Sequence, residues 1–223
     1  MFLRLVSAGI LTLLVWPSLA EPAPAPSKPP PPPPGAAKPF TPIDPQVAIQ
    51  KANAYLTSAT TMIGDFVQIG GDGRRSEGRL YVQRPGKLRF EYAQPASLEI
   101  IADGTSVAIR DRKLATQDLY LLAQTPLKFL LKDQIDLAHD VKVLDVTSDP
   151  NAVSILVEDK VTFGGTSLIK LVFDPQKFAL KQWQVTDPQG YETLVSLFNV
   201  DLTKKPDPAL FKITQERMLN TNN

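Results

Sequence analysis

The stretch from Gly78 to Pro95, GRLYVQRPGKLRFEYAQP, constrains the fold more than any other. It reads as two β-strands joined at Arg84-Pro85-Gly86, because Pro fixes φ and removes a donor while Gly takes the φ of a tight reversal. In the second arm Leu88, Phe90 and Tyr92 alternate with Lys87, Arg89 and Glu91, giving one apolar face and one charged face. The charged face is expected to meet water. In the first arm Leu80 and Val82 share a face, and Arg84 at the strand end has their parity. A cation is therefore expected to point inward.

Around this hairpin the chain reads as a helix followed by a meander. Asp44-Pro45 supplies an N-cap and a first-turn proline, and Ala48, Ala52, Tyr55, Leu56 and Ala59 recur at helical spacing. A strand is expected over Thr60 to Ile69, then the turn Gly70-Gly71-Asp72-Gly73, which lacks the following helix start and Lys-Ser/Thr pair of a phosphate loop. Leu98 to Ala102, with Ile100 inside it, and Thr105 to Arg110 flank Asp103-Gly104, a strong hairpin signal, with Val107 and Ile109 on one face. Lys113 to Asp118 reads as a short strand. Thr125-Pro126 then opens a short helix whose Leu127, Phe129, Leu130 and Leu131 are apolar nearly all round, so it must lie on apolar surface. From Ala138 only strands are indicated, over about 139–147, 151–159, 167–174, 179–186 and 190–200. The fold class is mainly β (α+β), a strongly curved antiparallel sheet or open barrel under a few helices.

The termini read differently. Residues 1–20 have the form of a cleaved export signal: Arg4, an apolar run from Leu5 to Val15, and Ser18-Leu19-Ala20 at the cleavage site. That run is shorter than the roughly 20 residues a spanning helix needs. Residues 21–43, with an unbroken run from Pro29 to Pro34, read as a polyproline spacer, and residues 44–213 as the folded domain before a polar tail over 214–223. Cysteine is absent, which removes disulfides, thiolate chemistry and the Cys that a lipid anchor requires. A soluble periplasmic or secreted protein is expected. With 24 basic and 23 acidic side chains the net charge is +1, which offers nucleic acid no electrostatic footprint. His139 stands alone with no nucleophile or orienting group marked around it, and no zinc-ligand spacing or nucleophile elbow occurs. No catalytic residue, metal or cofactor is expected.

In series, the chain resembles the periplasmic outer-membrane lipoprotein carrier proteins, the LolA family. The resemblance rests on Gly64-Asp65-Phe66-Val67-Gln68; on Gly78 to Pro85 followed by Leu88 to Tyr92 and Gln94-Pro95; on Ala102-Asp103-Gly104; on Thr125-Pro126; and on Leu210-Phe211-Lys212-Ile213. It implies an unclosed antiparallel β-barrel with a lid of short α-helices over a hydrophobic cavity. It also implies a monomer that takes acylated lipoproteins from an inner-membrane ABC-type releasing complex and passes them to an outer-membrane acceptor. By resemblance Arg84 closes the lid on the empty cavity, Leu80, Val82, Leu88, Phe90, Tyr92, Ile100, Val107 and Ile109 line the cavity, and Leu127, Phe129, Leu130 and Leu131 form the lid helix. Alternation alone fits a filled core as well as a cavity wall. A carrier of free phospholipid or glycolipid on the same scaffold and a structural envelope protein are the alternatives. The proline arm and the polar stretch after Ile213 depart from the family pattern.

Overall fold

The computed structural model describes residues 40–126 and 128–214; the expected signal segment, most of the proline arm, Leu127 of the expected lid helix and residues 215–223 lie outside the described residues. Eleven strands form one antiparallel sheet in the order β6-β5-β4-β3-β2-β1-β11-β10-β9-β8-β7, so only the bond between β1 and β11 joins strands distant in sequence. The strands are β1 (Thr61–Ile69), β2 (Arg75–Gln83), β3 (Lys87–Tyr92), β4 (Leu98–Asp103), β5 (Ser106–Asp111) and β6 (Thr116–Leu121). The second half supplies β7 (Lys142–Ser148), β8 (Val153–Thr162), β9 (Gly165–Phe173), β10 (Leu180–Thr186) and β11 (Glu192–Asp201). The fold is mainly β, an unclosed antiparallel sheet with few helices.

Helix α1 (Pro45–Ser58) begins where the sequence marks it, with the Asp44 carboxylate accepting from the backbone N–H groups of Gln46 and Val47. It buries Ala48, Ile49, Ala52 and Leu56 in the same apolar cluster as the concave face of the sheet. That face is built in rows. Met62, Val82, Leu88, Ala102, Val107 and Tyr120 stand opposite one another across six strands, and Leu80, Phe90, Ile100 and the side of Ile109 form the next row.

A third row, Phe66, Gly78 and Tyr92, explains one glycine. Phe66 meets Phe90 and Tyr92 edge to face, with ring centroids 4.9 and 5.0 Å away, above a position with no side chain of its own. A Cβ at Gly78 would lie 2.1 Å from the Glu91 carbonyl oxygen and 2.8 Å from the Tyr92 Cα. The obstacle is backbone, so Gly78→Ala must spread β2 from β3, at an expected cost of about 2 kcal/mol. Denaturant titration measures it, and a loss under roughly 0.5 kcal/mol, the scale of an ordinary surface change, would contradict the close approach.

Three sequence expectations are corrected. Residues around Leu137–Asp140 are a short helix, α2, and not the start of a strand: the Asp136 carboxylate caps the Ala138 N–H at 3.1 Å, and four residues are too few to show a period. Residues 112–115 turn, with Ala115 at φ 52°, so the expected strand from Lys113 runs instead over Thr116–Leu121. The expected lid helix is 3-10, not α, with pieces at Leu122–Gln124 and Lys128–Leu131. Pro126 offers no donor, and the surrounding bonds close over three residues, as in Lys128 N–H to the Thr125 carbonyl.

The convex face also departs from expectation, since part of it is covered. A C-terminal 3-10 turn, Pro208–Phe211, packs on β3 and β4. Phe211 on that turn, Ile101 and Ala108 are all buried, the last two on the convex side of the sheet. Beside them Glu99, 2% exposed, faces three arginines: an ion pair with Arg89, one with Arg112 at 2.8 Å and one with Arg110 at 3.6 Å. Arg89 also donates to the Leu210 carbonyl at 3.1 Å and Arg110 to that of Thr214 at 2.6 Å, so the cluster fastens the C-terminal segment. Among the described residues no helix is long and apolar enough to cross a membrane.

Candidate functional site

Space remains where the rows of the concave face meet small residues. Ala102 stands between Leu88 and Val107, and the opposite wall comes from Trp183, Val185 and Val195 on β10 and β11. The result is a cavity of about 240 Å³ roofed by Leu122, Thr125, Pro126 and Leu131 of the 3-10 segment. A smaller recess of about 40 Å³ adjoins it through Leu88, Leu131 and Trp183, and there Leu80, Val82, Met62 and Arg84 meet Leu56 of α1 and Leu130 of the lid. Only Gln68 and Thr125, with Thr193, bring polar side chains to the larger space.

Arg84 directly follows β2 and points into the smaller recess. Its guanidinium Nη1 donates to the carbonyl of Leu56, in the last turn of α1, where helical carbonyls have no partner within the helix. That turn contains no basic residue of its own, so Arg84 supplies the positive charge that a helix C-terminus favours. Burial lowers the Arg84 pKa to about 10, opposed by Tyr55 and Asp133, which leaves the side chain charged at neutral pH. Its Nε is buried without a partner, so closure leaves one donor unsatisfied. The 3-10 segment is fastened separately: the Gly86 N–H, at φ 74° in the β2–β3 turn, donates to the Leu131 carbonyl at 2.8 Å.

Of the residues singled out in the sequence, Leu88, Phe90, Ile100 and Val107 line the larger cavity and Leu80 and Val82 the smaller recess. Leu130 and Leu131 face these spaces from the lid, while Phe129, 1% exposed, plugs the lid's other side near Pro85 and Gly86. Two placements are corrected. Tyr92 does not line the cavity: its ring packs on Phe66 beside Gly78, and its hydroxyl donates to Gln68 Oε1 at 2.8 Å, with burial raising its pKa to about 12. Ile109 lies beyond the roof, in an adjoining recess with Val107 and Tyr120. Trp183, Val185, Val195, Met62 and Leu197 were not singled out, although the apolar residues of Gln182-Trp183-Gln184-Val185 and of Val195-Ser196-Leu197 alternate as those of β3 do. His139 is 84% exposed, 2.6 Å from the Asp136 carboxylate and away from the cavity.

Residues 57–214 match the family described as outer membrane lipoprotein carrier protein LolA. The chain belongs to the LolA family. Similar relatives carry the name outer-membrane lipoprotein carrier protein. That of Methylococcus capsulatus is 27% identical over 173 residues, spanning 74% of this LolA-family chain and 82% of the relative. That of Chromobacterium violaceum is 38% identical over 71 residues, 30% of this chain and 34% of the relative. A solved LolA superfamily protein of Nitrosomonas europaea aligns over 77% of this chain and 98% of its own, with a TM-score of 0.43 and 11% identity. The family match spans the sheet, the 3-10 segment and the Pro208–Phe211 turn, and thus every residue that lines the two spaces except Leu56.

Proposed function

We propose that this protein is a soluble periplasmic chaperone, a carrier and not an enzyme, that holds the acyl chains of lipoproteins in the concave cavity between the inner and outer membranes. The observation that carries the reading is an apolar space beneath elements held shut by a few polar bonds, above all Arg84 to the Leu56 carbonyl. Exposing an acyl chain to water costs about 0.8 kcal/mol per methylene, so a chain of roughly fifteen costs on the order of 12 kcal/mol. A lipid anchor therefore needs a sheltered path across water. The 240 Å³ cavity is below the roughly 300–1,000 Å³ of sites that hold drug-sized molecules, so two or three acyl chains require α1 and the 3-10 segment to move outward. Its cargo is an acylated lipoprotein, received from an inner-membrane ABC-type releasing complex and surrendered to an outer-membrane acceptor.

The test is release from spheroplasts. Protein lacking residues 1–20, added to energised spheroplasts of its own species that make a tagged lipoprotein, is expected to bring that lipoprotein into the supernatant as a complex. No release, with the added protein shown to be folded, overturns the lipoprotein reading. Free phospholipid found by mass spectrometry in place of lipoprotein selects the free-lipid carrier.

A further inference from the structure

The lid has two parts with independent fastenings, and they lie over different ends of a row of spaces that share walls. Three spaces form a series: the recess of about 40 Å³ at Arg84, the cavity of about 240 Å³, and a recess of about 270 Å³ at Tyr120 and Phe163. The first two share Leu88, Leu131 and Trp183; the second and third share Val107, Thr125 and Pro126. Arg84 holds α1 over the first. Nothing at Arg84 secures the third.

The third space lies at a seam where the sheet fails to close. The edge strands are β6 and β7, but β7 pairs with β8 only as far as Glu158, so the tip of the β8–β9 hairpin is an unpaired edge near β6, and the chain that follows β6 spans the gap. Four contacts fasten it there. The Phe163 N–H donates to the Gln124 carbonyl at 2.7 Å, and the rings of Tyr120 and Phe163 meet edge to face at 5.6 Å. The Lys128 ammonium pairs with Asp159 and donates to the Val161 carbonyl at 2.7 Å. Asp159 is 5% exposed and stands opposite Ser167 on the concave face, where its neighbours along β8 and β9 are apolar. Thr162 and Ser167, also buried, bond each other beside it.

A buried ion pair adds little net stability over apolar packing of the same shape, yet it costs a great deal when only one partner leaves. Such a contact suits a closure that opens as a unit into water, where both charges are solvated again. The lips of the seam are apolar: Val161 and Phe163 are 68% and 67% exposed, at the point where the hairpin meets the lid. A linear alkyl chain passing between them touches hydrocarbon from the surface inward.

We propose that acyl chains enter and leave through the seam between β6 and the β8–β9 hairpin, with Lys128 and Asp159 as its bolt, and run from there toward Arg84. The inference rests on the carrier reading. It assigns the two polar fastenings separate tasks: the bolt controls passage, and Arg84 controls the room available beneath α1.

The chain contains no cysteine, so a pair introduced as Gln124→Cys and Phe163→Cys provides its only thiols. Their backbones already share a hydrogen bond, a separation that a disulfide spans. The probe is cis-parinaric acid, a linear polyene fatty acid that fluoresces in apolar surroundings, and uptake is followed by stopped flow with circular dichroism as the check on folding. The oxidised pair is expected to take up the probe at least ten times more slowly than the same protein reduced, with recovery on adding dithiothreitol. Lys128→Met, which leaves the seam unbolted, is expected to speed uptake about tenfold. Equal rates in the oxidised and reduced forms, or an unchanged rate in Lys128→Met, overturn the portal and leave the carrier standing. A folded, reduced protein that takes up no probe overturns the carrier reading as well.

Discussion

Arg84→Leu is expected to keep the protein loaded, slowing hand-off of its cargo by roughly 10 to 100 times. A hydrogen bond from a charged group contributes about 1.5–3 kcal/mol, and all but the top of that range falls within roughly 10 to 100 times in rate or equilibrium. In the proposed carrier that bond is available only when α1 lies down on the sheet, so it would stabilise the empty, closed protein and oppose loading. Leucine removes it and adds hydrocarbon to the recess formed by Leu56, Leu80 and Val82, so both effects favour the loaded state. The unpartnered Nε makes the wild-type closure shallower than full satisfaction would, as a reversible latch requires. With its pKa near 10, Arg84 stays charged below about pH 9, so the latch should contribute no pH dependence to hand-off between pH 5 and 9. The measurement is transfer of a labelled lipoprotein from preloaded protein to outer-membrane vesicles; rates within a factor of two of wild type would remove Arg84 from the mechanism.

What the sequence made legible followed from period and punctuation. Leu88, Phe90 and Tyr92 could be assigned to one face because strands alternate, and Asp44-Pro45 located α1 because a cap and a first-turn proline act locally. The partner of Arg84 was not legible from the residues, since Leu56 is distant in the chain and offers only its carbonyl; the family resemblance supplied the idea of a latch. The far wall of the cavity escaped notice for a different reason. Trp183 lies just past a register shift between Leu180 and Gln182, so a count of alternate residues carried on from Leu180 puts it on the wrong face, although Trp183 and Val185 alternate regularly between themselves. Tyr92 shows the opposite limit: its parity is inward, but a glycine across the strand lets Phe66 fill the space before it. Alternation assigns a side chain to a face, and the packing opposite decides whether that face borders a cavity.

The convex face carries the second large effect, because there the charged half of the alternation was taken for solvent. Glu99→Ala is expected to cost about 3 kcal/mol, since it leaves Arg89, 14% exposed, without the buried carboxylate it pairs with. Arg112 adds little to that figure, because 55% of it is in water and it can be solvated where it stands. For a domain of this size the loss lowers the melting temperature by roughly 6–12 °C. Glu91, already paired with Arg89 at 3.6 Å, compensates only weakly, because its side chain is 44% exposed and water screens the interaction. Arg89 also loses the orientation that directs it to the Leu210 carbonyl, so the segment around Pro208–Phe211 should exchange its amide hydrogens faster than the rest of the molecule. Uptake of a fatty-acid probe should be unaffected at temperatures where the variant is folded, because Glu99 lies on the face of β4 away from the cavity. A melting temperature within about 2 °C of wild type, less than 1 kcal/mol, would mean that water already reaches these charges and that the cluster does not hold the C-terminal turn.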